Sequence, residues 1–229
     1  MVAPAIGRRY RPLIPVPRVD WTHPLSAGLR SLYLPGVTQD LADTVAWAET
    51  GVSFVGSPYG QAREIASSGV PKILRQTHPM LQVGSMMVVQ KVVGAITGNG
   101  HGVGNSLNDT TNRWGAHIPW GGDSVIYFDV TNQTTGRLTA SGWSWGKWDV
   151  FVFTNGNILG QSIWGNGLLL ANDPTIAPAN GTSGTWGFGQ HAGQSNGNAA
   201  QVAILAAWSR ELSANEVGTL YANPFCMVK

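Results

Sequence analysis

Lys147-Trp148-Asp149-Val150-Phe151-Val152-Phe153-Thr154-Asn155-Gly156 is the stretch that decides the fold. β-Branched and aromatic side chains dominate it, which suits a pleated, half-buried strand. The closing Asn155-Gly156 pair is turn chemistry, because Asn-Gly readily adopts the positive φ angles of a hairpin. Working outward, similar runs recur. Leu29–Leu34 ends at Pro35-Gly36, Val52–Val55 stops at Gly56-Ser57-Pro58, and Ser124–Val130 is rich in β-formers. Gly167–Ala171 and Ala200–Trp208 complete the set. Met86–Val93 is nearly continuous in apolar residues, so it predicts a strand buried on both faces. Further Asn-Gly pairs stand at Asn99, Asn166, Asn180 and Asn196. Short strands with such turns and few helices predict an all-β, antiparallel two-sheet sandwich.

One helix is marked, at the end. Ser213 is followed three residues later by Glu216, the spacing of a capping box. Val217, Leu220 and Tyr221 then fall on one face, and Pro224 stops the run.

The 229 residues suit one large β domain, with a core that needs no disulfide. Cys226 is the single cysteine. Charged residues are only 11%, against roughly 25% in an ordinary soluble domain. That fits a surface partly covered by neighbours, and equally a neutral Gly/Asn/Ser/Thr-rich β surface. A net charge of +2 gives no field for nucleic acid. No apolar run is long enough for a bilayer, and Arg8, Arg9 and Arg11 are followed by prolines rather than a signal core. No membrane association is expected.

Residues 1–19 read as an extended Pro/Arg-rich arm, and residues 20–229 as the sandwich. Pro4, Pro12, Pro15 and Pro17 exclude a helix and favour a polyproline-like path. A disordered terminus is the plain reading. The apolar residues support an arm that orders against another subunit, with Arg8, Arg9, Tyr10, Arg11, Leu13 and Ile14 as the partner-binding strip.

Trp208-Ser209-Arg210-Glu211-Leu212-Ser213-Ala214-Asn215-Glu216-Val217, continuing to Leu220-Tyr221-Ala222-Asn223-Pro224-Phe225, resembles the ending of laminin-G-like (concanavalin-A-like) modules, in the version carried by bacteriophage proteins. Asp20-Trp21-Thr22-His23-Pro24-Leu25 is similar to the opening of such modules, and Lys147–Gly156 with Ser162–Gly167 to their central strands. The resemblance implies a jelly-roll sandwich and a non-enzymatic virion protein, a head decoration or a tail or fibre component. Its partners would be capsid, tail or fibre subunits and copies of itself. It would assemble in the host bacterial cytoplasm and be exposed on the particle. The matching stretch Phe54–Tyr59 has no carboxylate, which counts against the calcium site of some relatives.

The chemical motifs are thin. Glycoside hydrolysis needs two facing carboxyls. The chain has only Glu49, Glu64, Glu211 and Glu216, none in a Glu-x-Asp pattern. Asp123 and Asp129 border one strand and read best as a solvated strand end. Gly193-Gln194-Ser195-Asn196-Gly197 has nucleophile-elbow spacing without a strand-to-helix context. Gly187-Phe188-Gly189-Gln190-His191-Ala192 matches a dinucleotide fingerprint in letters only. His23, His78, His101, His117 and His191 show no metal spacing, so no catalytic residue, metal or cofactor is expected. Trp143 and Trp145 share one face if extended, and are the candidates for stacking on a glycan. A core pair is the plainer alternative. Two rivals to the virion role follow: a carbohydrate-binding module for a host surface glycan, and a polysaccharide-degrading tail enzyme.

Overall fold

The computed structural model describes residues 17–66, 72–75, 83–94, 96, 102–105, 113–121, 123–131, 135–175, 185–189 and 199–229. A 3-10 turn, Pro24–Ser26, leads into β1 (Leu29–Tyr33), β2 (Trp47–Thr50), β3 (Val52–Ser57), β4 (Gly60–Ile65), β5 (Lys72–Arg75) and β6 (Gly84–Val92). Then come β7 (Gly102–Asn105), β8 (Arg113–His117), β9 (Ile126–Thr131), β10 (Arg137–Ala140) and β11 (Trp148–Gly156). The chain ends with β12 (Gly160–Gly165), β13 (Leu168–Asp173), β14 (Trp186–Gly189), β15 (Ala200–Trp208) and α1 (Ala214–Ala222). Every strand pairing among the described residues is antiparallel. One sheet has the order β13-β12-β11-β6-β15-β4-β3, with β1 sharing the β4 edge of β15. The other runs β10-β9-β8-β7-β14-β5-β2. The two sheets form a sandwich with one short C-terminal helix.

Two apolar layers follow from this order. Between the sheets lie Tyr33, Trp47, Trp114, Phe128, Phe151, Phe153 and Trp186. The outer face of the β6 sheet is also covered. The Pro24–Ser26 turn, α1 and the C-terminal tail pack over Met87, Val89, Val150, Val152, Ile204 and Trp208. Met86 and Val88 belong to the first layer, Met87 and Val89 to the second. That is why the Met86–Val93 run does not alternate. Each such large side chain is worth about 1.5–3 kcal/mol of burial. Gln90 and Gln161 cross between the sheets. Gln90 Nε2 donates to the Ile118 carbonyl at 3.2 Å, and Gln161 Nε2 to those of Phe128 at 2.8 Å and Gly136 at 3.0 Å.

The capping box forms as expected, with Ser213 and Glu216 exchanging bonds. Val217 and Leu220 are buried, but Tyr221 is 48% exposed. It lies over Gly167 instead of the core. Asn166-Gly167 makes the expected turn, with φ of 50° and 79°. Asn155-Gly156 does not. Both residues stay in β11, and the turn is at Asn157–Leu159. The cause is Glu211, whose carboxylate accepts the N–H groups of Ile158 at 2.5 Å and Leu159 at 2.7 Å.

The strip expected to bind a partner, Arg8, Arg9, Tyr10, Arg11, Leu13 and Ile14, lies outside the described residues. The described part of the predicted arm is seated on the sandwich. Val19 bridges to Val228 and is 5% exposed, and Arg18 and Lys229 exchange backbone bonds of 3.0 and 2.9 Å.

Candidate functional site

Alternation on β8, β9 and β10 sorts side chains by face. Trp114, Ala116, Phe128, Val130 and Ala140 point into the core. The other positions, Arg113, His117, Tyr127, Asp129 and Arg137, share the outer face. Asp129 and Arg137 are register partners. Asp129 accepts from Arg137 Nε at 2.6 Å, Arg137 Nη2 at 2.7 Å and Arg113 Nη1 at 3.0 Å. His117 Nε2 lies 3.9 Å away. Burial alone would raise the Asp129 carboxyl, but Arg137, His117 and Arg113 together hold it below the usual carboxylate range. A carboxylate held between two guanidiniums is a structural anion rather than a proton donor. Asp129 is therefore not a solvated strand end, while Asp123 is exposed.

Beyond His117 the chain turns through Trp120 and back into β9. The His117 and Trp120 rings meet edge-on at 4.7 Å, and Trp120 and Tyr127 at 6.3 Å. The Arg137 guanidinium covers Tyr127 at 4.5 Å, and the Tyr127 hydroxyl donates to Asp123. That bond holds the phenol above its ordinary value. Trp120 and Tyr127 remain half-exposed.

The crossover Ser141–Lys147 brings in the two tryptophans singled out from the sequence. Trp143 and Trp145 both lean on Phe151, at 5.4 and 5.9 Å between rings. They are half-buried: part of each ring packs on the core and part faces solvent. Trp143 Nε1 donates to Asp149 at 3.2 Å, and Asn166 Nδ2 donates to the same carboxylate at 2.9 Å. Lys147 Nζ sits 4.9 Å above the Trp143 ring. Burial raises the Asp149 carboxyl, and its two donors offset part of this. Gly165 makes room beneath, since a Cβ there would lie 2.8 Å from Trp143. Ala140 pairs with Ile126, so the crossover leaves the sheet beside Tyr127. The Trp120–Tyr127 pair, on the outer face of its sheet, and Trp143 with Trp145, against the core at Phe151, thus lie at the same end of the sandwich.

Of these residues the sequence singles out Trp143 and Trp145 as candidates, and it does not single out Arg113, His117, Trp120, Tyr127 or Arg137. The available signal was period-two polarity at Arg113-x-Gly115-x-His117 and Tyr127-x-Asp129-x-Thr131. Each Glu has a structural partner. Glu49 binds Arg63, Glu64 binds Gln201, Glu211 fixes the β11–β12 turn, and Glu216 binds Arg210. Among the described residues no group of three His, Cys, Asp or Glu could hold a metal, and no helix is long and apolar enough to cross a membrane. Gly187–Gly189 is strand β14, not a phosphate loop, and Gly193–Gly197 lies outside the described residues.

No protein-family profile matches the sequence, and no curated protein matches it. Solved structures do match in shape. The receptor-binding domain of botulinum neurotoxin type G superposes with a TM-score of 0.62 at 15% identity, over 86% of this chain and 51% of that one. The binding domain of botulinum neurotoxin DC, solved with rat synaptotagmin II, gives 0.65 at 12%, over 85% and 51%. The chain thus spans about half the length of these neurotoxin domains. Domain 4 of AbnA, a GH43 extracellular arabinanase from Geobacillus stearothermophilus solved with arabinotriose, gives 0.64 at 12%, over 85% of this chain and 98% of that domain. A Trypanosoma rangeli sialidase gives 0.61 at 12%, over 87% and 33%. At these identities the likeness is one of fold: the chain is built on the sandwich that these binding and glycosidase-associated proteins also use.

Proposed function

We propose that this protein is a carbohydrate-binding sandwich module that holds a surface glycan at the Trp120–Tyr127–Trp143–Trp145 rim without cleaving it. One observation carries the reading: half-exposed aromatic rings gather at one end of the sandwich, each braced by a ring or a charged side chain. Rigid indole and phenol faces stack on the apolar face of a sugar ring. Asp123, Lys147 and Ser144 are exposed beside them and can meet hydroxyls. Pre-set side chains lower the ordering cost of binding. The whole of AbnA domain 4 shares this fold, and its solved structure holds arabinotriose, which supports the reading. The non-catalytic half rests on the structural occupation of all four Glu and of Asp129.

The test is a glycan array with purified protein, beside an assay for released reducing sugar. Binding without release, weakened in Trp143→Ala, is the expected result. No binding to any glycan, or steady sugar release, would overturn the reading.

A second reading, a bacteriophage virion protein docked through Arg8–Ile14, draws on the sequence resemblance at the two ends of the chain. A separate observation favours contact with neighbours. Leu168 and Leu169 on the edge strand β13 are 66% and 47% exposed, beside the exposed Tyr221. Bare apolar edges are usual sites of association. Antibody labelling of phage particles in the electron microscope tests it: an unlabelled particle counts against the virion role.

A further inference from the structure

A concave surface lies at the far end of the β9 sheet from the rim. Register runs Tyr127, His117, Gly102, Gly189 and Lys72 across one end of that sheet. Trp186, Arg75 and Trp47 pair across the other. The loop that precedes Trp47 forms one wall of a cavity of about 750 Å³, and the segment Pro17–Trp21 contributes to its lining opposite. Arg18, Trp21, Thr38, Gln39 and Asp43 carry its chemistry.

Both walls are set in advance. Val37 N–H binds the Leu34 carbonyl at 3.1 Å, and Trp47 N–H the Thr38 carbonyl at 2.8 Å. Inside the loop, Asp40 accepts from Leu32 N–H at 2.8 Å, Ala42 N–H at 2.9 Å and the buried Arg75 at 2.8 Å, and also from the Ser31 hydroxyl. Arg75 holds Asp43 as well, Nη2 to Oδ2 at 2.8 Å. The opposite wall is sewn to the C-terminus by Arg18 N–H to Lys229 at 3.0 Å and Asp20 N–H to Met227 at 2.7 Å. Trp21 stands on this fixed wall 59% exposed.

We propose that this groove is a second saccharide site, for a neutral, hydroxyl-rich oligosaccharide, with Trp21 as the stacking platform and Asp43 as the hydroxyl acceptor. The proposal rests on the glycan-binding reading above and adds a site at the other end of the molecule. The charge in the groove decides the class. Arg18 and the buried Arg75 are matched in charge by Asp40 and Asp43, both of which Arg75 holds, so no net charge in the groove selects a polyanion. The Trp21 indole offers a flat apolar face. Asp43 Oδ2 already accepts from Arg75 and Oδ1 from Thr44 N–H at 2.6 Å, but the carboxylate is 42% exposed and each oxygen has a second lone pair. With the Gln39 amide and the Thr38 hydroxyl it supplies the mixed acceptors and donors that paired sugar hydroxyls need. The volume is that of an ordinary small-ligand site.

The test uses the full chain and an immobilised panel of neutral tri- and tetrasaccharides that includes arabinotriose. Any saccharide that binds is then titrated by calorimetry into wild type, Trp21→Ala, Trp21→Phe and Trp143→Ala. Trp21→Ala should weaken one binding component about tenfold, the scale of one lost stacking contact. Trp21→Phe should restore most of it, and Trp143→Ala should leave it unchanged. Melting temperature should not move in either Trp21 variant, because the ring is exposed. Binding that survives Trp21→Ala in full but is lost in Trp143→Ala overturns the groove and leaves the rim standing. No binding by wild type to any member of the panel overturns the groove together with the neutral-glycan form of the rim.

Discussion

Asp129 and Arg137 face each other from neighbouring strands as a two-pronged pair, Oδ1 to Nε at 2.6 Å and Oδ2 to Nη2 at 2.7 Å. Arg113 closes on the same carboxylate from the other side, so one buried anion ties β8, β9 and β10 together. The substitution Asp129→Asn should cost about 2–3 kcal/mol, less than for a fully buried pair because both guanidiniums reach solvent. Urea unfolding of the variant at pH 7 measures it.

The same carboxylate sets an acid limit. Asp129 is depressed by folding, so the native state binds fewer protons there than the unfolded chain. Its stabilisation is complete above an unfolded pKa near ~4 and is lost as pH falls through the lower folded value. Urea midpoints of wild type should therefore fall below about pH 4. Asp129→Asn should lack that component of the fall.

Asp149 has the opposite sign. Burial raises its carboxyl, so the native state binds more protons than the unfolded chain just above pH ~4, and stability declines as pH rises across that window. Asp149→Asn keeps a polar side chain beside Trp143 and Asn166. It should cost under about 1 kcal/mol at pH 7 and flatten this decline. A loss as large as that of Asp129→Asn would show that the charge itself holds the rim.

Gly187 has no room for a side chain. A Cβ there would lie 1.9 Å from the Ile73 carbonyl oxygen, and at Gly104, its register partner, 2.3 Å from the Trp114 carbonyl oxygen. Both obstacles are backbone, so neither can swing aside. Gly187→Ala should cost more than about 3 kcal/mol, at the severe end for a single substitution. Gly218→Ala, with open space at its Cβ in α1, should be neutral or stabilising by up to about 1 kcal/mol. Thermal melts of the two variants give the contrast.

The N-terminal boundary can be placed by truncation. Removal of residues 1–19 takes Val19 from the outer core and the Arg18–Lys229 backbone pair with it. It should lower stability by about 1–3 kcal/mol, the range for one lost buried side chain and its bonds. Removal of residues 1–16 leaves those contacts in place and should melt higher than the longer truncation.

Local chemistry determined much of this protein. Met86–Val93 and Trp148–Thr154 carry enough β-branched and aromatic residues to favour strands from their own sequence. Ser213 and Glu216 cap their helix through atoms three residues apart, and Asn166-Gly167 turns by its own φ preferences. Tertiary structure decided the rest, because the forces there act between distant parts of the chain. Gly102–Asn105 and Trp186–Gly189 have little strand propensity and become strands through their neighbours. The Asn155-Gly156 turn moved because Glu211, far along the chain, binds the next amides. Asp129 looks like a solvated strand end until β8 and β10 deliver two arginines to it. The rim and the groove depend on the same physics. Trp143 meets Asp149 only across a chain reversal, and Val19 meets Val228 only when the two ends of the chain pair.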